Sequence, residues 1–191
     1  MIDFENISQA LNFPFEEQDW VRKTLIGSLI AIGSLLVIPA PLLLGYLLRV
    51  MRQDSMPAFD NFLDMYIEGL KALLVATLYM IPGFAIMAAF ESNLALLGVP
   101  VFLVLYYALE SALYHLANNG LRQAFSVNVL RDAFTLNYLL GLVVSAVVSF
   151  ALIMAWSLSL LLIVPILLFP TVMFYQNVFR FRIMKEAIEA E

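Results

Sequence analysis

The chain has 191 residues, 63% of them hydrophobic and 13% charged, with a mean hydropathy of +0.91. A water-soluble domain carries about 45–50% apolar and about 25% charged residues, so this composition excludes an ordinary soluble fold. The net charge of −5 leaves no basic footprint for nucleic acid, and the absence of Cys excludes disulfides, thiol chemistry and sulfur ligation of a metal.

The expected fold is all-α, a polytopic transmembrane helical bundle of about five apolar segments with cytoplasmic interfacial amphipathic helices. It forms a single membrane domain over residues 1–191. The acidic start and the polar sequence up to Lys23 are unlike a cleaved secretory signal, so the N-terminal segment 1–23 is expected to stay and to lie at the interface. Apolar blocks follow near 24–48, 70–90, 94–117, 138–156 and 159–179, each near the roughly 20 residues that a spanning helix needs. Strands are excluded: an open sheet leaves backbone donors unpaired in lipid, and the alternation of a closed barrel is missing.

Within the first block, Pro39 and Pro41 interrupt the helical ladder. Two readings are open, a kinked single crossing and a re-entrant hairpin with both ends on one side. The connections 12–20, 57–66 and 123–132 mix aromatic or aliphatic residues with acids, as helices lying in a membrane interface do. Arg49, Arg52 and Lys71 flank the first long connection, Arg122 and Arg131 lie in the second, and Arg180, Arg182 and Lys185 follow the last block. The turns around Ser92 and Ser157 carry no cation. By the positive-inside rule the basic connections and the C-terminus are cytoplasmic in a cell-membrane protein, and the two turns face outward. The stretches 41–46, 109–114 and 170–175 each end in Tyr, either as a degenerate repeat or as aromatic markers of the membrane boundary.

Phe13-Pro14-Phe15, Asp19-Trp20, Lys23 and Leu25-Ile26-Gly27 precede a second set of motif residues, Gly45-Tyr46-Leu47-Leu48-Arg49, Pro57-Ala58-Phe59-Asp60 and Glu68-Gly69. This series resembles a prokaryotic membrane family described as a domain of unknown function. The likeness covers most of the chain and is most specific over roughly the first seventy residues. The resemblance implies a polytopic membrane protein and supplies no activity, ligand or catalytic residue.

The third block carries the candidate polar cluster. At 100° per residue Tyr107, Glu110, Tyr114 and Asn118 fall on one side, with Ser111 and His115 beside them, while leucines fill most of the remainder. A carboxylate facing lipid near the midplane costs roughly 2.5–3.5 kcal/mol, so this face is expected to look into protein or water. Its functional reading is a proton- or cation-responsive site of Glu110 and His115, and its structural reading is a hydrogen-bonded tie between helices. His115 is the only histidine, which excludes a histidine cluster for zinc or bis-histidine haem within one chain, and no cofactor is expected.

No phosphate-binding loop, dinucleotide-binding glycine pattern, nucleophile elbow or metalloprotease motif is present, so the chain reads as non-enzymatic. Gly141, Ser145 and Ser149, with Gly27/Ala31 and Ala85/Ala89, form small-residue stripes suited to close helix packing. Pro82, Pro100, Pro165 and Pro170 mark expected kinks. Two functions follow: a membrane scaffold or subunit binding lipid, other membrane proteins or itself as a homo-oligomer, and a small transporter or channel for protons, ions or small solutes.

Overall fold

A computed structural model describes residues 4–16, 18–34, 39–89, 98–159 and 165–190, with the side chains of Phe4 and of residues 158–168 left aside. The described residues form eight α-helices and no strand: α1 Phe4–Asn12, α2 Trp20–Ser34, α3 Ala40–Arg52, α4 Phe62–Ala89, α5 Gly98–Asn119, α6 Val127–Ala133, α7 Leu136–Ser159 and α8 Pro165–Glu189. Single 3₁₀ turns stand at Phe13–Phe15 and Gln123–Phe125. Phe62–Ala89, Gly98–Asn119 and Leu136–Ser157 are long and apolar enough to cross a membrane.

The first apolar block is two helices. With 15 and 13 residues, α2 and α3 are about 22 and 20 Å long, each short of a hydrocarbon core of about 30 Å. Lys23, near the start of α2, donates its ammonium to the carbonyl of Met56, just past the end of α3, at 2.6 Å. The two helices therefore run antiparallel as a hairpin with both ends on one side of the bundle, and the kinked single crossing is set aside. Pro41 occupies the first turn of α3, where its missing N–H costs nothing. Residues 35–38, between α2 and α3 in sequence, lie outside the described residues.

Small residues decide how closely these helices approach. On α2, Lys23, Gly27, Ser28 and Ala31 form the buried face, and the ring of Phe174 from α8 lies where a Cβ on Gly27 would be. Gly45 of α3 rests on the backbone carbonyl of Met65, and Gly69 of α4 rests on that of Pro41. These two reciprocal contacts fix α3 against α4 in antiparallel fashion, backbone on backbone. Ala85 and Ala89 are exposed, so that pair packs against no helix among the described residues.

Helix α8 is the hub, packed on α2, α3, α5 and α7 and touched by α1, whose Leu11 carbonyl accepts from the Tyr175 hydroxyl at 2.8 Å. It continues past residue 179 to Glu189, so Arg180, Arg182 and Lys185 belong to a packed helix and not to a basic tail. Tyr46 is fully buried, stacked on Phe59 at 4.2 Å and set against Phe174, which rules it out as a boundary marker.

Other boundaries differ from the sequence expectation. The connection between α3 and α4 is irregular through Asn61, and its apolar residues Phe62, Leu63 and Ile67 are the exposed first turns of α4, not a separate helix. The connection after α5 does hold a short helix, α6, with Phe125, Val127, Leu130 and Phe134 exposed. Helix α5 stops where Asn118-Asn119-Gly120 predicts, Gly120 taking φ 85° and donating to the Leu116 carbonyl. Pro100 and Pro165 lie in first turns, so only Pro82 and Pro170 fall inside helices. The turn around Ser92 and the start of the third block at 94–97 lie outside the described residues.

The glycine contacts are testable. Gly45→Ala and Gly69→Ala each force a methyl onto a backbone carbonyl and should destabilise the bundle by about 1–3 kcal/mol, read as a lower melting temperature in detergent. Gly120→Ala, with nothing within 4 Å of its Cβ position, should cost only its left-handed backbone strain, about 1–2 kcal/mol.

Candidate functional site

Charged side chains converge on the connection between α3 and α4. Lys23 (7% exposed), Arg182 (9%) and Lys185 (3%) are buried there, and each needs compensation for the water it has lost. The connection supplies it. Gln53 offers its carbonyl to Arg182 at 3.0 Å and to Lys185 at 3.3 Å, Asp54 meets Lys185 at 2.5 Å and Arg182 at 3.6 Å, and Met56 caps Lys23. Arg182 also pairs with Glu186 one turn on and lies over the ring of Phe13. From α3, Arg49 binds Asp60 at 2.9 Å and Glu68 at 3.3 Å. Arg52 binds Glu68 at 3.0 Å and donates to the Ala117 carbonyl at the end of α5.

The second polar centre lies inside the bundle, where Glu110 of α5, 5% exposed, pairs with Arg180 of α8. Tyr138 of α7 comes in beside them, donating its hydroxyl to the Tyr107 carbonyl at 2.5 Å. A tyrosine from α7 thus ties itself to the backbone of α5 at Tyr107. The Tyr107 hydroxyl and Ser111 Oγ are buried and have no hydrogen-bond partner among the described residues.

His115 belongs to a third centre. Its Nε2 meets Asp132 of α6 at 2.6 Å, and its Nδ1 faces the Asn119 amide at 3.3 Å. Glu110 and His115 are therefore engaged by different helices and form no joint site. Tyr114 donates to Glu189 at the end of α8, and Asn118 is exposed and bonds its own helix at the Tyr114 carbonyl. Of the six residues of the expected cluster, Tyr107, Glu110 and Ser111 gather around Tyr138 and Arg180, Tyr114 and His115 tie α5 to α8 and α6, and Asn118 stands apart.

Sequence reasoning missed the partners. Arg180, Arg182 and Lys185 read as a basic flank because they follow an apolar block, although Phe179, Ile183 and Ala187 continue the helical spacing of buried residues. Tyr138 gave no signal beyond its place at a block boundary. No group of three or more His, Asp or Glu among the described residues is placed to hold a metal ion.

The Lys185 and Arg182 contacts hold the Asp54 carboxyl below its ordinary range, the hydrogen bond from Lys185 being the largest cause. A depressed folded value means that the contribution is present above the unfolded pKa of about 3.9 and is lost as pH falls through the lower folded value. Asp54 is largely exposed, so the effect is modest. Asp54→Asn should lower the melting temperature at pH 7 and should flatten the loss of stability on acidification below about pH 4.

The motif residues noted in the sequence meet in space: Gly45 and Gly69 make the α3–α4 crossing, Tyr46 stacks on Phe59, and Arg49 joins Asp60 to Glu68. No curated protein and no solved structure matches the chain. One family does, over a span that includes these residues and begins after Phe13–Gly27. The chain belongs to the family described as protein of unknown function (DUF4013), whose model matches residues 32–164.

Proposed function

We propose that this protein is a non-catalytic membrane scaffold or subunit that binds other membrane components or further copies of itself through the apolar faces of α4 and α7. The carrying observation is how little these two helices contribute to the protein's own core. In their most apolar 18-residue windows α4 is 17% buried and α7 is 11% buried. Leu74, Leu78, Ile81 and Phe84 on α4, with Val143, Val147 and Phe150 on α7, point away from the bundle. The charged groups support the same reading, since Lys23, Arg49, Arg182, Lys185 and His115 each engage another part of the chain and act as clamps.

In this reading the end that carries the clamped cations faces the cytoplasm of a cell-membrane protein, together with the C-terminus. The exposed apolar residues of the N-terminal segment, of the first turns of α4 and of α6 lie in the interface there. Ser8→Cys, in α1 beside this end, should react with an impermeant thiol reagent only after permeabilisation, whereas Ser157→Cys should react from outside. Labelling of Ser8→Cys in intact cells would overturn the orientation.

Photo-crosslinking in native membranes tests the scaffold itself. A photoreactive residue at Leu78 or Val147 should give discrete protein adducts, and one at the buried Val75 should give none. Lipid adducts alone at both exposed positions, with a monomer in mild detergent, would end this reading.

One observation favours the alternative of a small transporter or channel for protons, ions or small solutes: α2 and α3 are each too short to cross a hydrocarbon core, like the discontinuous helices of transporters. Flux of protons, monovalent cations or small metabolites through reconstituted liposomes, abolished by Glu110→Gln, would replace the scaffold reading with this one.

A further inference from the structure

Helices α5 and α8 meet along a seam at which two of the side-chain ties depend on a carboxylate. Glu110 holds Arg180, and Glu189 accepts from the Tyr114 hydroxyl at 3.2 Å. Arg180 is the one charge set against Glu110. Among the described residues the surrounding helices send no other. Arg49 and Arg52 of α3 are taken by Asp60, Glu68 and the Ala117 carbonyl, Glu68 of α4 by those same arginines, and Asp132 of α6 by His115. The remaining titratable groups around it are hydroxyls, Tyr106 and Tyr107 on its own helix and Tyr138 from α7.

The two partners of the pair are unequally enclosed. The Glu110 side chain is 6% exposed, whereas that of Arg180 is 34% exposed and also bonds Tyr106. A carboxylate so enclosed keeps its charge only while a cation stands against it, because removing one partner leaves an uncompensated buried charge. Arg180 can extend toward water along its own stem, as long cationic side chains at a membrane boundary do. Glu110 has no such exit, and the pair can separate at low cost only if a proton replaces the guanidinium. The Tyr107 and Ser111 hydroxyls, buried without partners, supply hydrogen-bonding capacity on the same face of α5 for the neutral acid.

We propose that Glu110 is a protonation site within the bundle, and that its protonation releases Arg180 and parts α8 from α5. The proton comes from the aqueous phase and stays on the Glu110 carboxyl, while Arg180 keeps its charge and gains water. Helix α3 stays fixed to α4 through Gly45 and Gly69, so motion at this seam shifts α8 against α5 and leaves the α3–α4 crossing in place. This property holds whether the protein serves as a scaffold or as a transporter.

The chain has no Cys, so introduced cysteines alone take a label. Spin labels at Leu103→Cys on α5 and Phe169→Cys on α8, both exposed, report the seam in nanodiscs by pulsed dipolar spectroscopy. Lowering the pH from 8 to 5 should enlarge the longer-distance population, and a protonated-carboxyl band should grow in infrared difference spectra. Glu110→Gln should show the longer distance at both pH values and lack the band, and Glu189→Gln should retain both responses. A distance distribution unchanged between pH 8 and pH 5 in the otherwise unsubstituted chain overturns the proposal even if Glu110→Gln does not fold. So does a band, or a pH response, that survives in Glu110→Gln.

Discussion

An ammonium or guanidinium group taken out of water must be given other partners, and in this protein the nine residues after α3 give them. Lys23, Arg182 and Lys185 come from α2 and α8, helices far apart in sequence, and all three close on the backbone and side chains of Gln53, Asp54 and Met56. Hydrophobic burial alone brings apolar helices together without choosing a register, and in lipid it barely distinguishes one apolar neighbour from another. The cations supply the choice: Lys23 fixes the sense of α2 relative to α3, and the pair at Arg182 and Lys185 fixes the depth of α8.

With that end set, the glycines determine how closely the backbones approach. Gly45 and Gly69 contribute no side chain, and for that reason α3 can lie on α4 near enough for Arg49 to reach both Asp60 and Glu68. The aromatic stack of Tyr46 on Phe59 then fills the space between the helix and the connection. Each of these contacts needs the others. A wider helix separation would unpair Arg49, and a looser connection would expose Lys23 and Lys185.

Much of the fold was legible in the sequence, because the need to satisfy every backbone group in lipid leaves helices as the only choice for blocks of this length and composition. The helix stop at Gly120 was legible for a local reason, the left-handed conformation that glycine adopts freely. Two prolines raised the possibility of a break in the first block, but the hairpin itself depends on Lys23 meeting Met56, a contact across 33 residues that no local pattern encodes. The polar face of α5 was visible from 100° periodicity, yet periodicity names a face and not its neighbours. Arg180 and Asp132, the residues that divide that face into separate centres, come from other helices and are found only when the chain is folded. Positive charge after an apolar block was taken as a sign of solvent, and Lys185, at 3% exposure, shows how that inference fails when a helix continues through the interface into protein.

The distribution of contacts also bears on where the molecule can move. Tight backbone crossings and clamped cations occupy one end, whereas the outer lengths of α4 and α7 face away from the core. Local opening concentrates where buried contacts are few, so the clamped end serves as the fixed frame and the apolar outer lengths as the variable part. Glu110 and Arg180 sit between these two regimes, where they join α5 to α8 across a thin seam. A buried ion pair contributes little net stability compared with apolar packing of the same volume. Its effect on the equilibrium between closed and parted helices is larger, since only the charged form of Glu110 holds the closed one.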